Sequence, residues 1–337
     1  MTGLIELFNT LKFLKNTRDN LKNMNIYGMC LVKNEDDIIA QTLKAATEWC
    51  NYIYVYDNGS TDRTWERVLE LSKIYKQIIP YKQESRPFSD DLRSEIFNHY
   101  RTNSSEEDWW CRLDGDEIYI DDPRIFLAKV PQEYILVVSA SFEYYFTDKD
   151  LELYNHNPSL YADDVLVEQK CRYYINNWSE ARFIRYKKNW IWRENDGGWP
   201  SAVWQAPIYP VRIWLKHYQY RSPQQIQKRI DTRREAIVNR SGFCHEAQAN
   251  WKGLVFDQSN LVSDFEQLNI QDIPNDWTAR IVEASKLHYD AYDRKFVVCE
   301  DLMTKIENQH STINKLNFDF KKKLFNTFDF VKHKLKK

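Results

Sequence analysis

The run Ile26-Tyr27-Gly28-Met29-Cys30-Leu31-Val32 carries no charge and is ended abruptly by Lys33-Asn34-Glu35-Asp36-Asp37. A continuous apolar stretch of strand length suits a strand buried on both faces, as in parallel sheets. Ile38 to Trp49 then has a helical composition, Tyr52 to Tyr56 repeats the strand pattern, and Thr64 to Tyr75 is helical again. The second strand stops at Asp57-Asn58-Gly59-Ser60-Thr61-Asp62. Strand, helix, strand, helix in succession predicts an α/β fold with a mainly parallel central sheet flanked by helices, whose ligands collect at the carboxyl ends of the strands. Both polar clusters fall at such ends. Ile78 to Tyr81 reads as a third strand, and Ser89 as the cap of a helix with acidic residues in its first turn.

The next strand is Trp109 to Leu113, and it runs into Asp114-Gly115-Asp116-Glu117, three carboxylates within four residues. Gly115 lets the chain turn where Asp114 and Asp116 leave the strand. Two carboxylates aimed at one space repel, and one is pushed toward protonation. A hard cation such as Mg²⁺ or Mn²⁺ removes that conflict, because it takes one or two protein carboxylates and leaves its other positions to phosphates and water. An acidic surface turn is the plainer alternative, since Asp-Gly is a common turn pair.

The chain has 337 residues, enough for one large domain with appendages. A net charge of -2 creates no general attraction for nucleic acid, and no basic stripe accompanies a nucleic-acid module. The six cysteines (Cys30, Cys50, Cys111, Cys171, Cys244, Cys299) are scattered without Cys-x-x-Cys or zinc-like spacing, as expected of reduced thiols. No signal peptide and no apolar run of membrane-spanning length is present, so a cytoplasmic protein is expected, soluble or peripheral on the inner face of the plasma membrane. The aromatic content, with 12 Trp and 21 Tyr, suits sugar stacking but serves core packing equally well.

Taken together and in order, Lys33-Asn34-Glu35, Asp57-Asn58-Gly59-Ser60-Thr61-Asp62, Arg93 and Asp114-Gly115-Asp116 resemble the motifs of a family 2 glycosyltransferase of the GT-A fold, of the bacterial glycan-assembly type. The resemblance covers Asn25 to Ile120. It implies a Rossmann-like GT-A sheet, a nucleotide-sugar donor, and Mn²⁺ or Mg²⁺ as cofactor. Carried over by position, it places Lys33, Asn34, Glu35, Asp57, Asn58 and Asp62 around the nucleoside. Arg93 falls near the sugar phosphate, and Asp114 and Asp116 on the metal and diphosphate. Each residue also has a duller reading. Asn34 and Asp57 could cap the helices that follow, Asn58-Gly59 could be a plain turn, and Arg93 could pair with Glu95.

Tyr134 to Phe146 reads as a long strand, aromatic in its second half, and Arg182 to Tyr186 as another. An inverting transferase needs a base for the acceptor hydroxyl. Asp196, Glu194, Asp164 and Glu143 are candidates, with Asp196 preferred for the glycines beside it. Val211 to His217 is a strand ending in a histidine, and Ser222-Pro223-Gln224-Gln225 is a helix start. His217 is a candidate metal ligand or diphosphate partner, or a satisfied structural histidine. Arg221 and the helix start could hold phosphate oxygens.

The expected organisation is an amphipathic helix over 1–24, a GT-A domain over 25–249, a helical extension over 250–310 and a basic amphipathic tail over 311–337. In the tail, Phe320, Leu324, Phe328, Val331 and Leu335 recur among lysines, a pattern suited to an anionic membrane surface or to ordinary packing. The predicted activity is metal-dependent transfer of a sugar, from a UDP-sugar by preference, to a glycan or lipid-linked glycan hydroxyl in surface polysaccharide or lipopolysaccharide assembly. The alternative is a carbohydrate-binding scaffold of the same fold without catalysis. The sequence does not specify the sugar, acceptor or linkage.

Overall fold

The computed structural model describes residues 21, 23–238, 248–263, 287–290 and 295–298. The basic tail expected over 311–337 and all but the end of the helix expected over 1–24 lie outside the described residues. From the helical extension expected over 250–310, the described residues are two 3-10 turns, Trp251–Leu254 and Gln258–Asn260, and short strands.

The parallel half of the sheet forms as the sequence predicts. β1 (Ile26–Val32), β2 (Tyr52–Asp57), β3 (Ile78–Gln83) and β4 (Trp109–Asp114) lie side by side in the order β3-β2-β1-β4, all parallel. Every residue of β1 is buried, which is why that run carries no charge. Between these strands come α1 (Ile39–Ala46), α2 (Thr64–Ile74) and α3 (Leu92–Tyr100). α3 starts later than expected: Asp91 occupies its N-cap position, and Ser89 Oγ accepts the Asp91 amide at 3.2 Å. Burying each large side chain of such strands contributes roughly 1.5–3 kcal/mol. The aromatic residues join this effort, with Trp109, Trp110, Trp192 and Trp199 each under 2 % exposed.

Beyond β4 the chain adds β5 (Glu117–Tyr119), α4 (Pro123–Ala128), β6 (Leu136–Tyr145), α5 (Asp148–His156), α6 (Val167–Lys170), β7 (Tyr173–Trp178), β8 (Ala181–Arg185), β9 (Ile213–His217), α7 (Pro223–Val238) and β10 (Val262–Ser263). β8 inserts antiparallel between β4 and β6, so the ten-stranded sheet is parallel in its first half and mixed in its second. β9 lies parallel to β6 on one side and antiparallel to β5 on the other. A separate antiparallel pair joins β11 (Leu287–Asp290) to β12 (Lys295–Val298). The architecture is α/β, a mixed sheet flanked by helices. Among the described residues no helix is long and apolar enough to cross a membrane, and Cys30, Cys50, Cys111 and Cys171 are buried and unbridged.

Candidate functional site

The carboxyl ends of β1, β2 and β4 converge, and each is shaped by its polar cluster. At the end of β1, Asn34 takes a left-handed conformation with φ 60, which asparagine tolerates better than most residues. Its Oδ1 accepts the Thr61 amide at 2.8 Å and its Nδ2 donates to Thr232 Oγ1 of α7 at 3.0 Å. At the end of β2, Asp57 is fully buried, and its Oδ1 accepts the Ser60 amide at 2.6 Å. Its Oδ2 is buried and makes no hydrogen bond of good geometry, although Gln83 and Gly59 offer donors close to the carboxylate, and burial raises its pKa. Buried acceptors are rarely left unsatisfied, so this atom suits a donor group from a ligand.

Two of the predicted residues turn out to hold the turns themselves. Asn58 Oδ1 accepts the Arg86 amide at 2.9 Å. Asp62 Oδ1 accepts from the Thr64 amide and hydroxyl at 3.0 and 2.5 Å, fixing the turn that leads into α2, while its Oδ2 meets Lys228 at 3.0 Å. A cleft of about 910 Å³ opens here, lined by Lys33, Asn34, Gly59, Thr61 and Ser85, with Gln227 and Lys228 of α7 and the ring of Trp251 also lining it. Gly59 is required: its φ is +75, and a Cβ there would lie 2.6 Å from that of Ser85.

The Asp-Gly-Asp turn is surrounded by arginine. Arg93 bonds Asp114 through one nitrogen and Asp90 at 2.9 Å through another. Arg182 of β8 reaches the other Asp114 oxygen at 2.8 Å, bonds Glu117, and lies 3.1 Å from Glu180. Burial works to raise the Asp114 pKa, but Arg93, Arg182 and Arg112 outweigh it and hold it well below the usual carboxylate range. Glu117 is fully buried against Arg182, and burial outweighs the opposing charge of Arg182, raising its pKa to about 8.

Asp116 faces the other way, toward β9 and α7. Its Oδ2 lies 3.4 Å from His217 Nε2, 3.6 Å from Arg229 and 3.8 Å from Arg221. Against burial, His217, then Arg229 and Arg221, bring its pKa to about 2. Burial disfavours a charged His217, yet Glu143 and Asp116 raise its pKa well above the ordinary value. Arg221, fully buried, ties this corner to the end of β1, meeting Glu35 at 2.5 Å and Asp37 at 2.7 Å. Burial pushes Glu35 up to about 7 against the opposing charge of Arg221.

Asp116 and His217 are the pair that fits a divalent cation, Arg229 and Arg221 standing off Asp116 at 3.6 and 3.8 Å, beyond hydrogen-bond distance. A carboxylate oxygen and an imidazole nitrogen 3.4 Å apart have the spacing of two neighbouring ligands on one octahedral ion, roughly 3 Å for bonds of about 2.1 Å. Asp114 is different, because guanidinium groups engage both its oxygens. Among the described residues no three of His, Cys, Asp and Glu form a ready-made ion cage. Magnesium-type sites, which are completed by substrate phosphates and water, do not need one.

The candidate bases separate clearly. Asp196 accepts the Arg193 amide at 2.8 Å inside its own turn, and Asp91 tethers that loop through the Asn195 and Gly197 amides, each at 3.1 Å. Glu194 and Asp164 are exposed, and Glu143 is buried against His217. The sequence reading did not single out Arg182 or Glu180. An arginine inside the short apolar strand Ala181-Arg182-Phe183-Ile184 is the signal that could have found the first.

No protein-family model matches the chain, and no curated protein matches it. Among solved structures, it is similar to TarS of S. aureus at 16 % identity and TM-score 0.25, over 35 % of this chain and 21 % of that one. It is also similar to the mannosyltransferase PcManGT of Pyrobaculum calidifontis, determined with GDP-Man and Mn²⁺, at 14 % identity and TM-score 0.36, over 73 % and 74 % of the two chains. A third is glucosyl-3-phosphoglycerate synthase of Mycobacterium tuberculosis, in complex with Mn²⁺, UDP and phosphoglyceric acid, at 15 % identity and TM-score 0.28, over 50 % and 58 %. The matches to the TarS structures thus span 21 % to 36 % of those chains. Likenesses of this size assign no role to any residue.

Proposed function

We propose that the protein is a metal-dependent glycosyltransferase that uses a nucleotide-sugar donor. The observation that carries this reading is the convergence, at the carboxyl ends of three parallel strands, of one unsatisfied buried carboxylate oxygen, Asp57 Oδ2, with the Asp116–His217 pair. Such ends are where open α/β sheets bind ligands, and unpaired or strongly shifted buried groups concentrate at functional sites. On this reading Asp57 accepts from the nucleoside. The cleft beside Asn34, Thr61 and Ser85 takes the base and ribose, with Lys33 also lining it, while Glu35 stays paired with Arg221. Asp116 and His217 hold Mn²⁺ or Mg²⁺, while Asp114 orients Arg93 and Arg182 beside them. A bound cation would stabilise charge developing on the departing diphosphate.

UDP is the favoured nucleotide, and the acceptor is a glycan or lipid-linked glycan hydroxyl in surface polysaccharide assembly, with inversion at the anomeric carbon. Asp196 is kept as the base for the acceptor hydroxyl. Peripheral contact with an anionic membrane through the basic tail belongs to the same proposal.

The test is calorimetric titration of UDP and GDP, with and without Mn²⁺, into the wild type and Asp116→Asn. Metal-dependent binding of one nucleotide, weakened at least tenfold in the variant, supports the reading and names the base. Absence of nucleotide binding under every condition would favour the non-catalytic scaffold.

A further inference from the structure

His217 has two ring nitrogens, and a buried carboxylate stands at each. Nδ1 lies 2.7 Å from Glu143 Oε2 and Nε2 lies 3.4 Å from Asp116 Oδ2. The sheet dictates this arrangement. In the β6–β9 pair Glu143 is the partner of His217, and in the β5–β9 pair Glu117 is. Partners in register share one face of a sheet, so three adjacent strands set Glu143, His217 and Glu117 in a row. A slip of one residue would turn His217 to the opposite face.

Glu143 is poorly placed to act on substrate. Its side chain is 6 % exposed, and Oε2 is shared by His217 and by Gln219 Nε2, which donates at 3.1 Å. It is well placed to act on His217. An imidazole that donates from one nitrogen to a carboxylate presents the other as an acceptor, with the ring fixed in tautomer and direction. Resting on the metal-dependent reading above, we propose that Glu143 is a positioning residue: it accepts the Nδ1–H of His217 and so aims Nε2 at a divalent cation shared with Asp116. Gln219, donating to the same oxygen, keeps that carboxylate from rotating away.

The experiment titrates Mn²⁺ alone, then Mn²⁺ with UDP or GDP, into wild type, Glu143→Gln, Glu143→Met and His217→Gln. Free Mn²⁺ is followed by electron paramagnetic resonance, and nitrogen coupling to bound Mn²⁺ by electron spin-echo modulation. The wild type shows nitrogen coupling that His217→Gln removes. Glu143→Met binds Mn²⁺ roughly 10- to 100-fold more weakly, the usual effect of removing an outer-shell partner, and loses the coupling although His217 is intact. Glu143→Gln keeps an acceptor of the same shape, so it retains the coupling with a smaller loss of affinity. Circular dichroism melts confirm that each variant is folded. Glu143→Met with wild-type affinity and coupling would overturn the assignment while leaving the metal reading intact. If that variant does not fold, wild-type affinity in Glu143→Gln overturns it equally. A wild type that binds no Mn²⁺, with or without nucleotide, removes the metal reading and this inference with it.

Discussion

Arg182 shows how much one side chain holds in place. It is 1 % exposed and lies in contact with Asp114, Glu117 and Glu180. Desolvating a guanidinium is costly, and only multiple hydrogen-bonded acids offset it. Replacing Arg182 with Met removes the cation and leaves Asp114 with Arg93 as its one remaining direct ion-pair partner among the described residues. The expected loss is about 3 kcal/mol, the scale for breaking a buried pair from one side. Asp114→Asn in the Arg182→Met background should then cost less than Asp114→Asn alone, with a coupling of about 1–3 kcal/mol. Urea unfolding of the two single variants and the double variant measures this, and strict additivity would show that the pair is not energetically linked.

At the scale of elements, α7 connects the site to the rest of the fold. Arg221 just before it reaches the end of β1, Lys228 bridges Asp36 and Asp62 at 2.8 and 3.0 Å, and Thr232 meets Asn34. The start of the helix fixes all of these at once. Ser222 Oγ accepts the Gln225 amide at 3.2 Å, and Gln225 Oε1 accepts the Arg221 amide at 3.0 Å. Ser222→Ala should therefore cost about 1 kcal/mol, and Ser222→Gly only a few tenths. Amide exchange in the first turn of α7 should speed up in the alanine variant, and unchanged exchange there would argue against the cap. This helix start was legible in Ser222-Pro223, as β1, β2 and β4 were in apolar runs that end in polar clusters. β5 and β7 were not, because Glu117–Tyr119 is short and Tyr173–Trp178 mixes polar with aromatic residues. The insertion of β8 between β4 and β6 was equally hidden, since pairing between distant strands leaves no local pattern. The site divides the same way. Asp57, Asp114, Asp116 and His217 were visible as strand ends, whereas the pairing of Glu143 with His217 depends on which strand lies beside β9.

For the molecule as a whole, burying this many charges makes stability depend on pH in opposite directions. Asp114 and Asp116 have depressed pKa values, that of Asp116 being about 2. Their stabilisation is present above the unfolded value near ~4 and is lost as pH falls through the folded values. Glu117, raised to about 8 by burial, acts oppositely, and Glu35, raised to about 7, acts in the same sense up to that pH. Between roughly pH 4.3 and 8 the native state keeps a proton that the unfolded chain has released, so stability falls as pH rises across that window. His217 adds to the decline above its unfolded value near ~6.5, because its folded pKa is also raised. The metal-free protein should thus be most stable near pH 5, with losses below about pH 4 and a steady decline from about pH 5 to 8. Glu117→Gln removes the buried acid while keeping its shape and one acceptor for Arg182. It should flatten the decline and melt higher than wild type at pH 8, while leaving the acid limb unchanged. Thermal melts of both proteins in chelator from pH 3 to 9 decide the matter. A wild-type profile that rises from pH 5 to 8, or a variant of the same slope, would mean that Glu117 is ionised in the folded protein and held by Arg182. Mn²⁺ should raise the wild-type melting temperature most at neutral pH, where Nε2 of His217 can release its proton to water and offer its lone pair to the ion, and least near pH 5.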